Sequence, residues 1–154
     1  MDKIPFKAQI GQVDYTDIRW VPVFNCVVMF RGKMLLLLRS RAVGYYPGYW
    51  NGVSGFLDDH KSLAEKAKEE LWEELGIKEK DIKSIKLIDI IEGENKRHKK
   101  TWIIHALTVE LLVPDIKLNW ENDAYVWIDK KEVFTYRLLP GFHDVLACLG
   151  IRKE

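Results

Sequence analysis

A short amphipathic segment carries four closely spaced glutamates: Glu69, Glu70, Glu73 and Glu74. At about 100° per residue the last three form a ribbon that overlaps the edge of an apolar stripe, whereas Glu69 falls on the outer side. Carboxylates crowded at the border of a buried face repel one another and are costly to desolvate. A divalent cation such as Mg²⁺ would resolve this, because it binds carboxylate oxygens. The alternative is a solvated charged face that pairs with Lys66 and Lys68.

The element that must position these glutamates is a helix predicted over Ser62–Leu75. Ser62, followed three residues later by Glu65, forms a capping box at its start. Gly76 stands where a left-handed residue would end the helix. A core stripe repeats every four residues: Leu63, Ala67, Leu71 and Leu75. The preceding stretch, Val43–Phe56, is rich in Gly, Tyr and Trp, which predicts a loop and a short strand.

The rest of the chain alternates strands with short helices. Two apolar runs, Cys26–Phe30 and Lys33–Leu38, predict strands covered on both faces and joined by an Arg31-Gly32 hairpin turn. Four more elements are predicted: strands at Ile82–Ile91, Trp102–Val113 and Ala124–Ile128, and a terminal helix at Gly141–Leu149. The charged segment Glu92–Lys100 is expected to connect two of them, and Lys130–Val133 to form a helical turn. This order predicts an α+β fold, with a sheet sandwiched between helices.

The acidic helix and the loop before it match a known pattern. Gly55 precedes Glu70 by fifteen residues, and the chain from Glu70 reads Glu-Leu-Trp-Glu-Glu-Leu-Gly-Ile. This resembles the Nudix box, G-x5-E-x7-R-E-U-x-E-E-x-G-U with U a bulky aliphatic, at seven of its nine defining positions. Lys61 and Glu69 depart from it, where the pattern has Glu and Arg. In the family that Arg helps to hold a catalytic Glu, so Lys66, one turn before Glu70, is a candidate substitute, or else an ordinary solvated side chain.

The resemblance covers roughly residues 22–150 and is closest to small microbial Nudix proteins. It implies a Nudix-like α/β/α sandwich with a mixed β-sheet. We therefore expect one Nudix domain over residues 1–154, with the box at 55–77 and an N-terminal extension or edge strand at 1–21. It also implies a Nudix pyrophosphohydrolase, which cleaves the diphosphate linkage of a nucleoside diphosphate derivative by water attack on phosphorus. Metal ions assist such reactions because they neutralise the phosphate charge.

The resemblance also implies roles for individual residues. Mg²⁺ or Mn²⁺ would be bound by three carboxylates and by one backbone carbonyl: Glu70, Glu73, Glu74 and Gly55. A glycine suits the last role because no Cβ blocks the approach of the backbone. One of Glu70, Glu73 or Glu121 would accept the proton from water, and the sequence does not decide which. Glu121, which precedes the Ala124–Ile128 strand, has an alternative interpretation as a loop carboxylate.

Several residues outside the box are candidates for substrate binding. Arg39 and Arg41 flank the Gly-rich loop and could hold phosphates, although Arg39 could equally be a surface charge at a strand end. Aromatic residues of the loop could stack on a base or simply pack: Tyr45, Tyr46, Tyr49 and Trp50. The basic run Lys96–Lys100 predicts a solvated loop, or otherwise a phosphate or RNA contact. His60, beside the box, is either solvated or a proton carrier.

The overall charge narrows the class of partner. Lys plus Arg number 24 and Asp plus Glu 23, so the net charge is +1. This excludes a protein that wraps duplex nucleic acid, which needs a large basic excess, but not a small nucleotide substrate. No apolar run is long enough to span a membrane. Met1–Lys7 is polar and unlike a secretory signal, and Cys26 and Cys148 lie far apart, so we expect free thiols and a cytoplasmic location.

Two other classes of function remain open. One is a non-catalytic nucleotide sensor or interaction domain on the same fold, since a fold does not determine function. The other is an enzyme similar to isopentenyl diphosphate isomerase, which would need a cysteine beside the metal site. Many members of the Nudix family form dimers, so the resemblance leaves a homodimer open.

Overall fold

The computed structural model describes residues 8–97 and 99–153. The expectations for Met1–Lys7 and for His98 concern residues outside this description. The described residues contain seven strands: β1 (Trp20–Phe30), β2 (Lys33–Arg39), β3 (Trp50–Asn51), β4 (Val53–Phe56), β5 (Ile82–Asn95), β6 (Lys100–Leu111) and β7 (Asn122–Ile128). They also contain helices α1 (Leu63–Leu75) and α2 (Pro140–Cys148), and 3-10 turns at Glu79–Asp81 and Lys130–Thr135.

The strands form one mixed sheet with β1 at its centre. β1 pairs with β6 in parallel over its whole length and with β2 and β4 antiparallel on its other edge. β5 pairs with β6, and β3 and β7 pair with β2, all antiparallel. Arg31 and Gly32 both have positive φ, 46° and 79°, as a two-residue hairpin turn with this twist requires. The predicted hairpin is therefore present.

Both faces of the sheet are covered. Successive side chains of a strand point to opposite faces, so alternate residues of β1 and β2 enter two separate cores. One core packs against α1 and contains, from the sheet, Phe24, Cys26, Val28, Leu35, Leu37 and Val53. The other packs against α2 and contains Val27, Met34, Leu36, Ile104 and Ala106. This arrangement confirms the predicted α/β/α sandwich with a mixed sheet.

Helix α1 begins and ends where the sequence predicts. The Ser62 side chain accepts a hydrogen bond from the Glu65 N–H at 3.2 Å. Gly76 has φ 66° and donates its N–H to the carbonyl of Trp72, while the next N–H donates to the carbonyl of Leu71. These caps satisfy terminal backbone groups that the helix leaves without partners. They fix the position of the glutamates along the sheet.

The connection between β5 and β6 is shorter than predicted. Backbone pairing continues to Asn95 and Lys100, so Glu92–Asn95 belongs to a strand and the connection comprises only residues 96–99. Lys100 was expected in a solvated loop, and this is wrong, because its side chain is buried. Its ammonium group donates to the backbone carbonyls of Tyr15, Thr16 and Ile18. Lys100 thus ties the chain before β1 to the start of β6.

Two further observations bear on the expectations for the chain as a whole. β1 starts at Trp20, so the predicted extension over residues 1–21 overlaps the strand by two residues. No helix within residues 8–97 and 99–153 is long and apolar enough to cross a membrane.

Candidate active site

Glu74 is the most deeply buried carboxylate of the acidic helix. Its side chain is 4% exposed, and Oε1 accepts a hydrogen bond from Asn122 Nδ2 at 3.1 Å. Oε2 has no hydrogen-bond partner among the described residues. Burial, together with the nearby charges of Glu121 and Glu70, raises the pKa of Glu74 well above its ordinary value. A buried, half-satisfied carboxylate of this kind calls for a cation or a proton.

Glu70 lies one helical turn before Glu74 and shares its environment. Burial raises the pKa of Glu70 to about 8, and the charges of Glu73 and Glu121 act in the same direction. Lys66 opposes this rise but does not cancel it. Glu73, by contrast, is exposed. The predicted ribbon therefore spans the boundary of the buried face, as its angular position implies. The solvated-face alternative is wrong for Glu74, whereas Glu70 is half-buried.

Gly55 lies against this helix without room for a side chain. A Cβ at this position would come within 2.9 Å of the Phe24 ring and 3.0 Å of Glu70 Cγ. Contacts shorter than about 3 Å between carbons are strongly repulsive, so a larger residue would push the two elements apart. β4 holds Gly55 in place by pairing with Phe24 of β1. The glycine thus brings the end of β4 and the Glu70 side chain together.

Glu121 completes the group of carboxylates. It lies just before β7, where its carbonyl accepts the Ser40 N–H at 2.9 Å and its own N–H donates to Asn119 Oδ1 at 3.0 Å. Burial raises the pKa of Glu121, and its neighbours include Glu73 and Glu74. The structure therefore brings this loop carboxylate close to the acidic helix. Its role as ligand or base stays a prediction.

Arg39 is the positive charge of this group. It ends β2, and burial lowers the pKa of its guanidinium. The nearby charges of Glu74 and Glu121 act in the opposite direction but do not cancel this effect. Arg39 Nε donates to the carbonyl of Tyr45 at 2.9 Å, and the Arg39 backbone bonds to Gly48 and Tyr49. Arg39 is thus partly buried at the end of its strand, and its predicted contact with phosphates stays a prediction. Arg41 is exposed two residues further on, and its predicted contact with phosphates stays untested.

The aromatic residues of the loop are divided between two places. Tyr46 accepts a hydrogen bond from Asn95 at 2.9 Å and packs edge-on against Tyr49. Trp50 packs edge-on against Tyr136 and joins the core beneath α2. The structure therefore does not bring Trp50 to the glutamates, which lie on the α1 face. The proposed contacts of Tyr46 and Trp50 with substrate remain predictions.

A network of ion pairs surrounds the start of α1. Lys66 is 6% exposed, and its Nζ lies 3.2 Å from Asp58 Oδ1 and 3.1 Å from Asp59 Oδ2. It is therefore not a solvated side chain. Asp58 also accepts a hydrogen bond from Gln12 at 2.7 Å. Lys66 acts on Glu70 only through its charge, because both its ion pairs are with the loop before the helix.

Two amide side chains that support the carboxylates are not recognisable from the sequence. Asn122 is 6% exposed and holds Glu74, while Asn119 accepts the N–H of Glu121. The two amides stand three residues apart where a loop enters β7, and Asn is common at such places for turn formation alone. Only the buried position of Asn122 indicates its function, and burial was not visible in the sequence.

The donor atoms of the carboxylate group are of the kind that a divalent metal ion binds. Carboxylate oxygens are the ligands that Mg²⁺ and Mn²⁺ prefer, and the unpartnered Glu74 Oε2 together with the high pKa of Glu70 indicates missing positive charge. Nevertheless, within residues 8–97 and 99–153 no group of three or more His, Cys, Asp or Glu side chains is arranged to hold a metal ion.

Cys26 lies on the same core face as the glutamates but cannot serve as a catalytic cysteine. Its side chain is completely buried, and burial, helped by the charges of Glu74 and Glu70, raises the pKa of its thiol. A buried neutral thiol neither reaches a substrate nor acts as a nucleophile. Cys148 lies at the end of α2, on the opposite face of the sheet. These positions argue against the isomerase alternative.

Comparison with protein families identifies the class of this fold and site. The family model named NUDIX domain matches residues 19–147, which is most of the chain. The chain therefore belongs to the Nudix hydrolase family. This confirms the predicted family.

Individual relatives share either part of the sequence or the fold. The NAD-capped RNA hydrolase NudC of Chromobacterium violaceum is 37% identical over 73 residues, which are 47% of this chain but only 26% of that protein. The MutT protein from Methanosarcina mazei has a TM-score of 0.69 at 24% identity, covering 85% of this chain and 93% of its own. The NUDIX domain of Shewanella oneidensis NrtR, solved with ADP ribose, has a TM-score of 0.71 at 14% identity, covering 92% and 94%. At these identities the two structures show the fold alone.

Proposed function

We propose that this protein is a hydrolase that depends on Mg²⁺ or Mn²⁺ and cleaves the diphosphate linkage of a nucleoside diphosphate derivative. The observation that carries the proposal is the buried Glu74, with one oxygen unpartnered among the described residues, next to the high-pKa Glu70 in a member of the Nudix family. The substrate class also has support from a relative over part of the chain, which is named an NAD-capped RNA hydrolase.

The proposed mechanism assigns separate tasks to the residues of the site. Glu70, Glu73, Glu74 and the Gly55 carbonyl would hold the metal, which when bound neutralises phosphate charge and lowers the pKa of water. One of Glu70, Glu73 or Glu121 accepts the proton of the attacking water. Arg39, held beside Glu74 and Glu121, is placed to bind a phosphate oxygen of the substrate. Asn122 keeps Glu74 oriented.

The test is a panel of nucleotide sugars, dinucleotides, nucleoside triphosphates and ADP-ribose. We expect release of a nucleoside monophosphate from at least one class, abolished by EDTA and restored by Mg²⁺ or Mn²⁺. Glu73→Gln should lower kcat by roughly 10²-fold, because it removes a charge from the site. Glu65→Gln, an exposed glutamate at the start of the same helix, is the matched control and should keep normal activity. Turnover that survives EDTA would refute the metal dependence.

A second candidate is a non-catalytic nucleotide-binding domain. The observation that favours it is that Lys61 and Glu69 replace two defining residues of the Nudix box. In that case the same panel would show saturable nucleotide binding by calorimetry without turnover.

The location and the oligomeric state are separate proposals. The two free cysteines support a reducing, cytoplasmic location. We also propose a homodimer, which sedimentation would test.

A further inference from the structure

The two residues that depart from the Nudix box contact each other. Lys61 Nζ lies 2.5 Å from Glu69 Oε2, with side chains 39% and 30% exposed. The box pattern has an acidic residue at the first of these positions and a basic residue at the second. This chain has the opposite order of charges, and the two side chains form an ion pair with each other.

The pair joins two segments that carry parts of the site. Lys61 lies in the loop that follows Gly55 and leads into α1, and Glu69 lies on α1 directly before Glu70. The Lys61 N–H also donates to Asp59 Oδ1 at 2.9 Å, and Asp59 in turn contacts Lys66 at 3.1 Å. The loop is therefore attached to the helix by Lys61, which contacts Glu69, and by Asp58 and Asp59, which both contact Lys66.

The geometry of Gly55 shows why this attachment matters. Gly55 and Glu70 are in van der Waals contact, with no room even for a methyl group between them. The loop between them, residues 56–62, fixes their separation only if it stays against the helix. An ion pair between the end of this loop and the residue adjacent to Glu70 restrains that separation directly.

We propose that Lys61–Glu69 is a charge-reversed positioning pair, which keeps Gly55 and Glu70 in register for the diphosphate hydrolysis proposed above. The inference rests on that proposed function. Neither residue is catalytic, because neither belongs to the carboxylate group around Glu74. They act by holding the site in its geometry. A displacement of about 1 Å at a reacting centre lowers the rate of reaction by up to ~10²-fold.

Charge reversal tests the pair. Lys61→Glu and Glu69→Arg each place two like charges opposite one another, whereas the double variant restores attraction with the polarity of the box. We expect each single variant to lower kcat by about tenfold or more and to raise the Mn²⁺ concentration for half-maximal activity, with KM for the nucleotide changed less than ~3-fold. The double variant should recover kcat to within ~3-fold of the starting protein.

A second ion pair on the same helix provides the control. Lys68 Nζ lies 2.7 Å from Glu79 Oε1, with side chains 39% and 75% exposed, and neither residue belongs to the site. Lys68→Glu causes the same change in net charge as Lys61→Glu. It should leave kcat and the Mn²⁺ requirement unchanged. Because exposed ion pairs contribute little to stability, the Tm of each single variant should lie within ~4 °C of the Tm of the starting protein.

Hydrogen exchange gives a readout that does not depend on turnover. The Leu57 N–H donates to the carbonyl of Pro22 at 2.9 Å, so its protection reports whether the loop stays in place. Exchange over residues 56–61 should be faster in both single variants and return to normal in the double variant. A double variant as slow in catalysis as the worse single variant, or single variants with normal kcat, would overturn the proposal. If the panel shows no turnover at all, the proposed function fails, while the exchange data still decide whether the pair holds the loop.

Discussion

At the scale of single residues, burial is what separates the four glutamates of α1 into different roles. Glu69 forms an ion pair and Glu73 is exposed, whereas Glu70 is half-buried and Glu74 is buried, and both have raised pKa values. A desolvated carboxylate is unfavourable in its ionised form, so the last two residues reduce the stability of the metal-free protein near neutral pH. A loss of stability from desolvated carboxylates is typical of a site that binds a cation.

The first prediction concerns Glu70 and pH. The pKa of Glu70 is about 8 in the folded protein against an ordinary value of 4.5. The contribution of its neutral carboxyl group to the free energy of unfolding is therefore fully present below about pH 4.5 and is lost as pH rises through about 8. Gln carries no charge, so Glu70→Gln in EDTA should be more stable than the starting protein by roughly 1 to 3 kcal/mol at pH 8, with little difference at pH 5. Urea unfolding at the two pH values measures this.

The control for Glu70→Gln is Glu65→Gln, which changes an exposed carboxylate on the same helix. Its effect on the free energy of unfolding should be small at pH 5 and at pH 8. An advantage of Glu70→Gln that is equal at both pH values would contradict the proposed cause, because it would not follow the ionisation of the carboxyl group.

The second prediction concerns the close approach of Gly55. Gly55→Ala places a methyl group within 3.0 Å of the Phe24 ring and of Glu70, so we expect a loss of ~1 to 3 kcal/mol in the free energy of unfolding and a fall in kcat. Gly93→Ala is the matched control, since its nearest neighbour is the flexible end of Ile104 at 3.1 Å. Denaturation and steady-state kinetics on both variants measure the effect. Equal losses would show that the Glu70 contact is unimportant.

At the scale of elements, the site depends on loops that are fastened to the sheet by side chains. The loop over residues 40–49 is held by Arg39 and by Tyr46, and the loop before β7 is held by its bonds to Ser40 and Glu74. The chain before β1 is held by Lys100. Loops usually carry functional residues on a rigid scaffold, and here each loop is fixed at named points.

The third prediction concerns the attachment made by Lys100. Lys100→Met leaves the three carbonyls of residues 15, 16 and 18 without their ammonium donor, so we expect a loss of about 2 kcal/mol in the free energy of unfolding. Hydrogen exchange over residues 12–20 should also become faster. Lys86→Met, at an exposed position of β5, serves as the control and should change neither quantity. Unaltered exchange in Lys100→Met would contradict this role.

At the scale of the whole molecule, a nearly neutral chain contains a site of concentrated charge. The net charge is +1, yet Glu70, Glu73, Glu74 and Glu121 lie around one region with Arg39 beside them. The sheet makes this possible, because it supports α1 on one face and α2 on the other. A compact acidic site of this kind suits a metal and a small phosphorylated ligand better than an extended polyanion.

The fourth prediction links metal binding to global stability. A ligand that binds only the folded state at 100 times its Kd adds about 2.7 kcal/mol to the free energy of unfolding. We therefore expect Mn²⁺ or Mg²⁺ to raise Tm, and the increase to disappear in the Glu70→Gln/Glu74→Gln double variant. The Lys68→Glu variant should keep the increase. A rise in Tm of equal size in the double variant would place metal binding elsewhere in the protein.

Much of the fold was predictable because its signals are local. The caps Ser62 and Gly76, the Arg31-Gly32 turn and the apolar runs of β1 and β2 depend on neighbouring residues, and the structure confirms them. The extent of β5 was not predictable. Its charged end, Glu92–Asn95, is a strand only because β6 supplies backbone partners, and these are far away in the sequence.

The sequence by itself determined the acidic helix, its phase against the core and the family resemblance, because spacing along a helix decides which side chains share a face. The tertiary structure alone decided which glutamates are buried, that Glu121, Arg39 and Asn122 join them, and that Lys61 pairs with Glu69. Trp50, although close to Gly55 in the chain, lies on the other face of the sheet. The physical reason is that burial and long-range contacts depend on how loops return to the sheet, which no local pattern records.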